Sequence, residues 1–179
     1  MLKHLKGDDK KIIHTYGVLE RSLELGKLYN ANLEVLKISS YFHDITKNLT
    51  NLEHEKLINN KVLFENIEPF MYHAYSAYSL ALNYNIEDEK ILEAIKYHIW
   101  GKIEMNLETM ILCVSDYCEK NRTHIGAKEV YQLALKNIYQ AYLLSIKKTM
   151  DYNLSLNNKL NPEQIKVYNY YKEKYGTIK

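Results

Sequence analysis

The sequence predicts an all-α protein, a single helical bundle. Apolar residues recur at spacings of three and four rather than alternating, and only 6 Gly and 2 Pro punctuate the 179 residues. Helix-capping residues stand directly ahead of several of the apolar runs.

The elements follow in order. Ile12, Tyr16, Leu19 and Leu23 form one stripe of a first long helix that ends near Tyr29-Asn30. Asn32 caps a second, which carries Leu33, Leu36, Tyr41 and Phe42 and runs into His43-Asp44. Thr50-Asn51-Leu52-Glu53 offers a capping box for a third. Further helical segments cover about Pro69 to Tyr84, Glu87 to Ile99, Met105 to Glu119 and Gly126 to Met150. Residues 153–158 lack periodicity, and Asn161-Pro162 then supplies an N-cap with proline at the first helical position. A short last helix, about 162–171, packs on a core of about 10–150, so that residues 1–179 form one domain.

Composition narrows the function. Hydrophobic residues are 46% and charged residues 26%, the balance of a folded globular chain. Net charge is +2 with Lys and Arg dispersed, which argues against a nucleic-acid polymer as partner. The start, MLKHLKGDDKK, has no apolar stretch of signal length, and no run of about 18 apolar residues occurs, so a cytoplasmic protein without membrane contact is expected. Cys113 and Cys118 are five apart, on different sides of a helix, and read as core thiols rather than a zinc or disulfide pair. The 17 tyrosines read as core as well.

The chemistry lies in His and Asp. Transition metals used for hydrolysis take imidazole nitrogen and carboxylate oxygen, and His14, His43-Asp44, His73, His98 and Asp116 each fall in or beside a different helix. The dipeptide alone is unspecific, since composition would place a His beside an Asp about one time in four. Placement adds weight. His98 follows Ile91 and Ile95 on one stripe, and Asp116 follows the apolar run Ile111-Leu112-Cys113-Val114-Ser115. A carboxylate on so buried a helix is costly unless a cation or several donors sit beside it, and a metal would supply the cation.

This ordered set resembles the HD superfamily of metal-dependent phosphohydrolases, and more narrowly the bacterial HD-domain enzymes that split dinucleoside tetraphosphates symmetrically. The resemblance runs through His14-Thr15-Tyr16-Gly17-Val18, His43-Asp44-Ile45-Thr46-Lys47, Ala94-Ile95-Lys96-Tyr97-His98 with Gly101, Ser115-Asp116-Tyr117, Arg122, Gly126 and Asn161-Pro162. It implies an HD-type bundle with a pair of divalent metals, iron above all, manganese or zinc also fitting. One ion would be held by His14, His43, Asp44 and Asp116, the other by Asp44, His73 and His98, with Asp44 as bridge. Such a pair lowers the pKa of a shared water and polarises the phosphoryl oxygen under attack. The implied reaction is hydrolysis of diadenosine tetraphosphate to two ADP.

Asp44 and Lys47 are then the expected catalytic residues, with Lys47, Lys102 and Arg122 on the substrate phosphates. Departures from the family pattern fall at Ala74, where glycine is usual, at Ile99-Trp100, and at Glu119-Lys120-Asn121-Arg122 in place of Glu-Pro-Gly-Arg. They are read as lying on the ligand pocket. They leave open another nucleotide, such as a nucleoside phosphate or a guanosine alarmone, or a regulatory HD protein that binds nucleotide without turnover. A homodimer is also admitted. His4, before the first helix, His54, in the polar stretch Glu53-His54-Glu55-Lys56, and His124, in the loop after Arg122, are read as outside the centre.

Overall fold

The computed structural model describes residues 4, 5 and 7–176, which form ten α-helices and, among the described residues, no strand. Helix α1 (Asp9–Leu28) starts at Asp8, whose side chain accepts from the Lys11 backbone N–H. Its buried face runs through Thr15, Val18, Leu19, Ser22 and Leu25, whereas Tyr16 of the expected stripe is 40% exposed. The small residues explain the shift. Helix α1 packs on two neighbours, and where it meets α2 (Leu33–Phe42) a Cβ on Gly26 would strike the Leu36 side chain.

Asn32 caps α2 as expected, accepting from the N–H groups of Glu34 and Val35. Helix α2 ends at Phe42 and tightens: Ile45 N–H bonds to Phe42 O, Lys47 to Asp44 and Leu49 to Thr46, each three residues back. In such turns residues three apart eclipse each other, which stacks Lys47 over Asp44. The capping box of Thr50 and Glu53 opens α3 (Asn51–Ile58).

A helix absent from the sequence reading follows, α4 (Lys61–Asn66), capped by Asn60. Pro69–Met71 is a 3₁₀ turn, so α5 (Tyr72–Asn83) begins later than expected. Asp88 caps α6 (Glu89–Tyr97) and Asn106 caps α7 (Leu107–Tyr117). The single segment expected over Gly126 to Met150 is two helices, α8 (Ile125–Ala134) and α9 (Ile138–Ser155), parted where Asn137 caps α9 through the N–H groups of Tyr139 and Gln140. Helix α9 runs on into residues 153–155, which had looked aperiodic. Asn161 caps α10 (Pro162–Tyr175), which exceeds its expected length.

Helix α7 is the hub. Glu108 to Ser115 are all buried, and it packs on α1, α2, α6, α8 and α9. The larger core gathers Ile111, Val114, Val130, Ile138, Leu143 and Val167 from α7 to α10. A second core joins α2, α5 and α6 through Val35, Ala77, Ile91 and Ile95. Each fully buried Leu, Ile or Val contributes about 1.5–3 kcal/mol relative to exposure. Buried tyrosines satisfy their hydroxyls: Tyr142 donates to Trp100 O at 2.6 Å, and Tyr171 of α10 donates to Lys102 O at 3.0 Å. The latter contact holds α10 against the loop between α6 and α7. Cys113 and Cys118 are buried thiols, and burial pushes Cys118 up to about 12. Among the described residues no helix is long and apolar enough to cross a membrane.

Candidate metal centre

Five elements deliver six side chains to one place. His14 comes from α1, His43 and Asp44 from the tight turn after α2, His73 from the start of α5, His98 from the C-cap of α6 and Asp116 from the last turn of α7. Local backbone aims two of the imidazoles. His43 Nδ1 lies 2.7 Å from Ser40 O and His98 Nδ1 2.8 Å from Ile95 O. A carbonyl can only accept, so both rings donate from Nδ1 and, when neutral, keep Nε2 bare for the interior.

The donors form two groups, His14 with His43 and Asp116, and Asp44 with His73 and His98, and within each the ligand atoms lie within 4.8 Å of one another. Asp44 faces both. Its Oδ2 is 3.9 Å from Nε2 of His14 and of His43, while its Oδ1 is 3.3 Å from His73 Nε2 and 3.7 Å from His98 Nε2. His14 Nε2 lies 3.1 Å from Asp116 Oδ1.

Protonation suits a cation. Burial holds His43 down at about 4 and His73 at about 2, so both are neutral at pH 7. Burial would favour a neutral Asp44, yet the polar groups packed against it, the Lys47 ammonium among them, hold it well below the usual carboxylate range. Asp116 is likewise depressed, against the effect of burial, by its contact with His14. His14 moves up: burial opposes its charge, but Asp116 and Asp44 outweigh it. Imidazole nitrogens facing each other through Nε2, at 3.4 Å for His14 and His43 and 3.1 Å for His73 and His98, together with two ionised carboxylates, fit divalent metal.

Glu119 is a neighbour that sequence reasoning missed as part of the centre. It is 4% exposed, and its Oε1 lies 3.5 Å from His14 Nδ1, while Oε2 accepts from Asn121 N–H at 2.6 Å and Asn121 Nδ2 at 2.9 Å. A Cβ at Gly17 would run into that carboxylate, so glycine one turn after His14 makes room for it. The readable signal was the spacing: Gly17 stands three residues after His14, and Glu119 three after Asp116.

A cavity of about 420 Å³ opens beside the two groups, walled by Lys47, His73, His98, Asp116 and Arg122 among others. Lys47 Nζ is 3.1 Å from Asp44 Oδ1, and Arg122 Nη2 is 3.2 Å from Asp116 Oδ1. The structure does not bring Lys102 there. Gly101 adopts φ +81°, turning the chain, and Lys102 pairs with Glu93 at 3.1 Å on a separate cavity. The surface reading of His54 is also corrected: it is 6% exposed, its Nδ1 lies 2.8 Å from Ser76 Oγ, and it walls the first cavity. Its charged neighbours hid that it shares a face with buried Ile58, four residues on.

His124 caps α8, its Nδ1 accepting from Ala127 N–H, and His4 Nε2 lies 3.1 Å from the Tyr84 hydroxyl. Of the departures from the family pattern, Ala74 is fully buried and off the cavity wall, whereas Ile99 is part of that wall.

Comparison with known proteins agrees with this geometry. A family model described as HD domain matches residues 12–121. A Bacillus subtilis (strain 168) protein named symmetrical bis(5'-nucleosyl)-tetraphosphatase is 32% identical over 166 residues, covering 90% of this chain and 89% of that one. A Halalkalibacterium halodurans protein of the same name is 32% identical over 161 residues, covering 87% and 86%. In fold, the chain is similar to a crystal structure from Clostridium acetobutylicum described as a predicted HD superfamily hydrolase involved in NAD metabolism, with TM-score 0.83 at 24% identity over 97% of this chain and 93% of that one. The family-model match over residues 12–121 and the 32% identity across most of the chain show that the chain belongs to the HD-domain family.

Proposed function

We propose that this protein is a metal-dependent phosphoanhydride hydrolase that cuts diadenosine tetraphosphate at the middle of its phosphate chain, adding one water and releasing two ADP. The observation that carries the reading is the division of Asp44, one oxygen toward each donor group. The likeness to proteins named for this reaction over most of the chain supports the choice of substrate.

In this reading one ion is held by His14, His43, Asp44 and Asp116 and the other by Asp44, His73 and His98, with iron proposed and manganese or zinc suited to the same donors. When bound, such ions supply an activated water and Lewis acidity toward the phosphoryl oxygens. The chain's own residues do the rest. Lys47, eclipsed over Asp44, offers its ammonium to a phosphate lying against the centre. Arg122 binds Asp116 through Nη2 and keeps further N–H groups for phosphate oxygens. The low pKa values of His43 and His73 keep both rings unprotonated for ligation at neutral pH. The cytoplasm is the proposed place of action.

The test is product analysis on protein loaded with iron or manganese, with metal content measured in parallel. The reading expects about two ions per chain and ADP as the sole nucleotide product. Release of ATP with AMP would overturn symmetrical cleavage. If a panel of nucleoside phosphates and guanosine alarmones is hydrolysed and the dinucleotide is not, the substrate assignment fails while the centre stands.

A further inference from the structure

A symmetrical cut sets a condition on the fold. The bond broken is at the midpoint of the substrate, so equal halves, each ending in a nucleoside, leave the centre along different directions. One half lies in the cavity walled by His73, His98 and Asp116. The other needs a second place.

A cavity of about 560 Å³ adjoins the first and shares the walls Phe70, Ile99, Thr149 and Gln164 with it. Both fall in the range of small-ligand sites, about 300–1,000 Å³. Gln164 lies at the junction. It is 3% exposed, and among the described residues its carboxamide makes no hydrogen bond. The carboxamide borders both cavities and is free to pair with what enters them.

The walls of the second cavity name the ligand class. Phe70 is 49% exposed, its ring centroid 5.7 Å from that of buried Trp100 with the planes tilted by 58°, and it offers an exposed aromatic ring to this cavity. Asn153, Asn158 and Lys159 also wall this cavity, and among the described residues their side chains make no hydrogen bond or ion pair. The acid and amide beside them are engaged, Asn161 Nδ2 donating to Glu68 Oε1 at 2.6 Å. No residue of either metal-donor group reaches this space. An aromatic face with free carboxamides and a single cation suits a nucleobase and its ribose, and is too poor in positive charge for a polyphosphate.

We propose that this second cavity is the seat of the distal nucleoside of the dinucleotide, with Ile99 and Gln164 as the threshold that the phosphate chain crosses. It rests on the substrate reading above. The departure at Ile99-Trp100 thereby gains a role, since Ile99 walls both cavities and Trp100 backs the second. The side chains on this surface then decide between substrates with one nucleoside and substrates with two.

The experiment compares diadenosine tetraphosphate with adenosine 5'-tetraphosphate, which has one nucleoside, on the full metal-loaded protein. Asn158→Ala with Lys159→Ala changes two exposed positions between α9 and α10 and leaves the donors untouched. Expected is a KM for the dinucleotide raised about tenfold with kcat held, and no change for adenosine 5'-tetraphosphate measured as substrate or competitive inhibitor. Gln164→Leu, bordering both cavities, should raise both values. An unchanged KM for the dinucleotide in the double variant, or an equal rise for both compounds, overturns the inference and leaves the hydrolase reading intact. An unmodified protein that turns over no dinucleoside tetraphosphate overturns both.

Discussion

Nε2 of His73 and Nε2 of His98 face each other at 3.1 Å, with Asp44 Oδ1 3.3 Å from the first and 3.7 Å from the second. His98 donates its Nδ1–H to Ile95 O, so in its neutral form it has no proton to give at Nε2. Burial keeps His73 neutral. Two such nitrogens beside a carboxylate make a ready cradle for a cation and a poor arrangement without one.

The first prediction separates the two donor groups. His98→Ala should lower metal content from about two ions to about one, and Asp44→Ala, which faces both groups, should lose both along with turnover. Helical content by circular dichroism should stay near that of the parent. Full turnover in Asp44→Ala would end the proposed mechanism.

Glu119 gives the second. A carboxylate behind a metal-bound imidazole orients the ring and raises its basicity, and its loss commonly costs about 10–100-fold in metal affinity. Glu119→Gln should therefore weaken the ion beside His14 by that factor while the ion beside His73 is retained, as read by graded chelator competition. Gly17→Ala should act in the same direction, because its methyl displaces the same carboxylate. Equal loss of both ions would refute this positioning role.

The third concerns the pH dependence of metal uptake. The pKa of metal-free His14 is raised above 6.5 despite its burial, through Asp116 and Asp44, and ligation must displace that proton. Affinity is thus full above the His14 pKa and falls as pH drops through it, by about tenfold per unit for one proton. Apparent dissociation constants measured between pH 6 and 8 check the slope. A pH-independent constant is the contrary result.

The fourth concerns the fold. Burial depresses the His54 pKa below 6.5, so above 6.5 the ring is neutral in both folded and unfolded chains and contributes nothing to pH dependence. As pH falls below 6.5 the unfolded chain takes up the proton first, and stability is lost until the folded-state pKa is passed. His54→Gln, which can still meet Ser76, should narrow the drop in urea midpoint between pH 7.5 and 5.5. An unaltered drop would assign the acid sensitivity elsewhere.

Much of this centre was legible because it depends on residue type and order. His14, His43, Asp44, His73, His98 and Asp116 could be picked out one helix at a time, and the structure brings all six together. Caps at Asn32, Thr50 and Asn161 were readable because each hydrogen bond closes within three residues. What escaped depends on partners distant in sequence or on backbone detail. Helix α4 spans only six residues, too few for periodicity to register. The break before Ile138 hides in a continuous apolar pattern, betrayed only by Asn137. Lys102 was expected on the phosphates through the family resemblance, and residue order does not reveal the left-handed turn at Gly101 after which it pairs with Glu93. Buried Glu119 and His54 sit among polar neighbours, and only the packing of other helices against them shows which way they face.

The proposed ligands span residues 14–116, so the ions would fasten together elements that lie far apart along the chain. Metal bound to the folded form alone, at about a hundred times its dissociation constant, adds about 2.7 kcal/mol to stability. Chelation should accordingly lower the melting temperature as well as stop turnover, and a melting curve with and without chelator measures the effect. In a cell short of metal, the empty form would unfold more often and be exposed to proteolysis. Scarcity would then be felt as a shorter lifetime of the polypeptide, with abundance tracking metal supply.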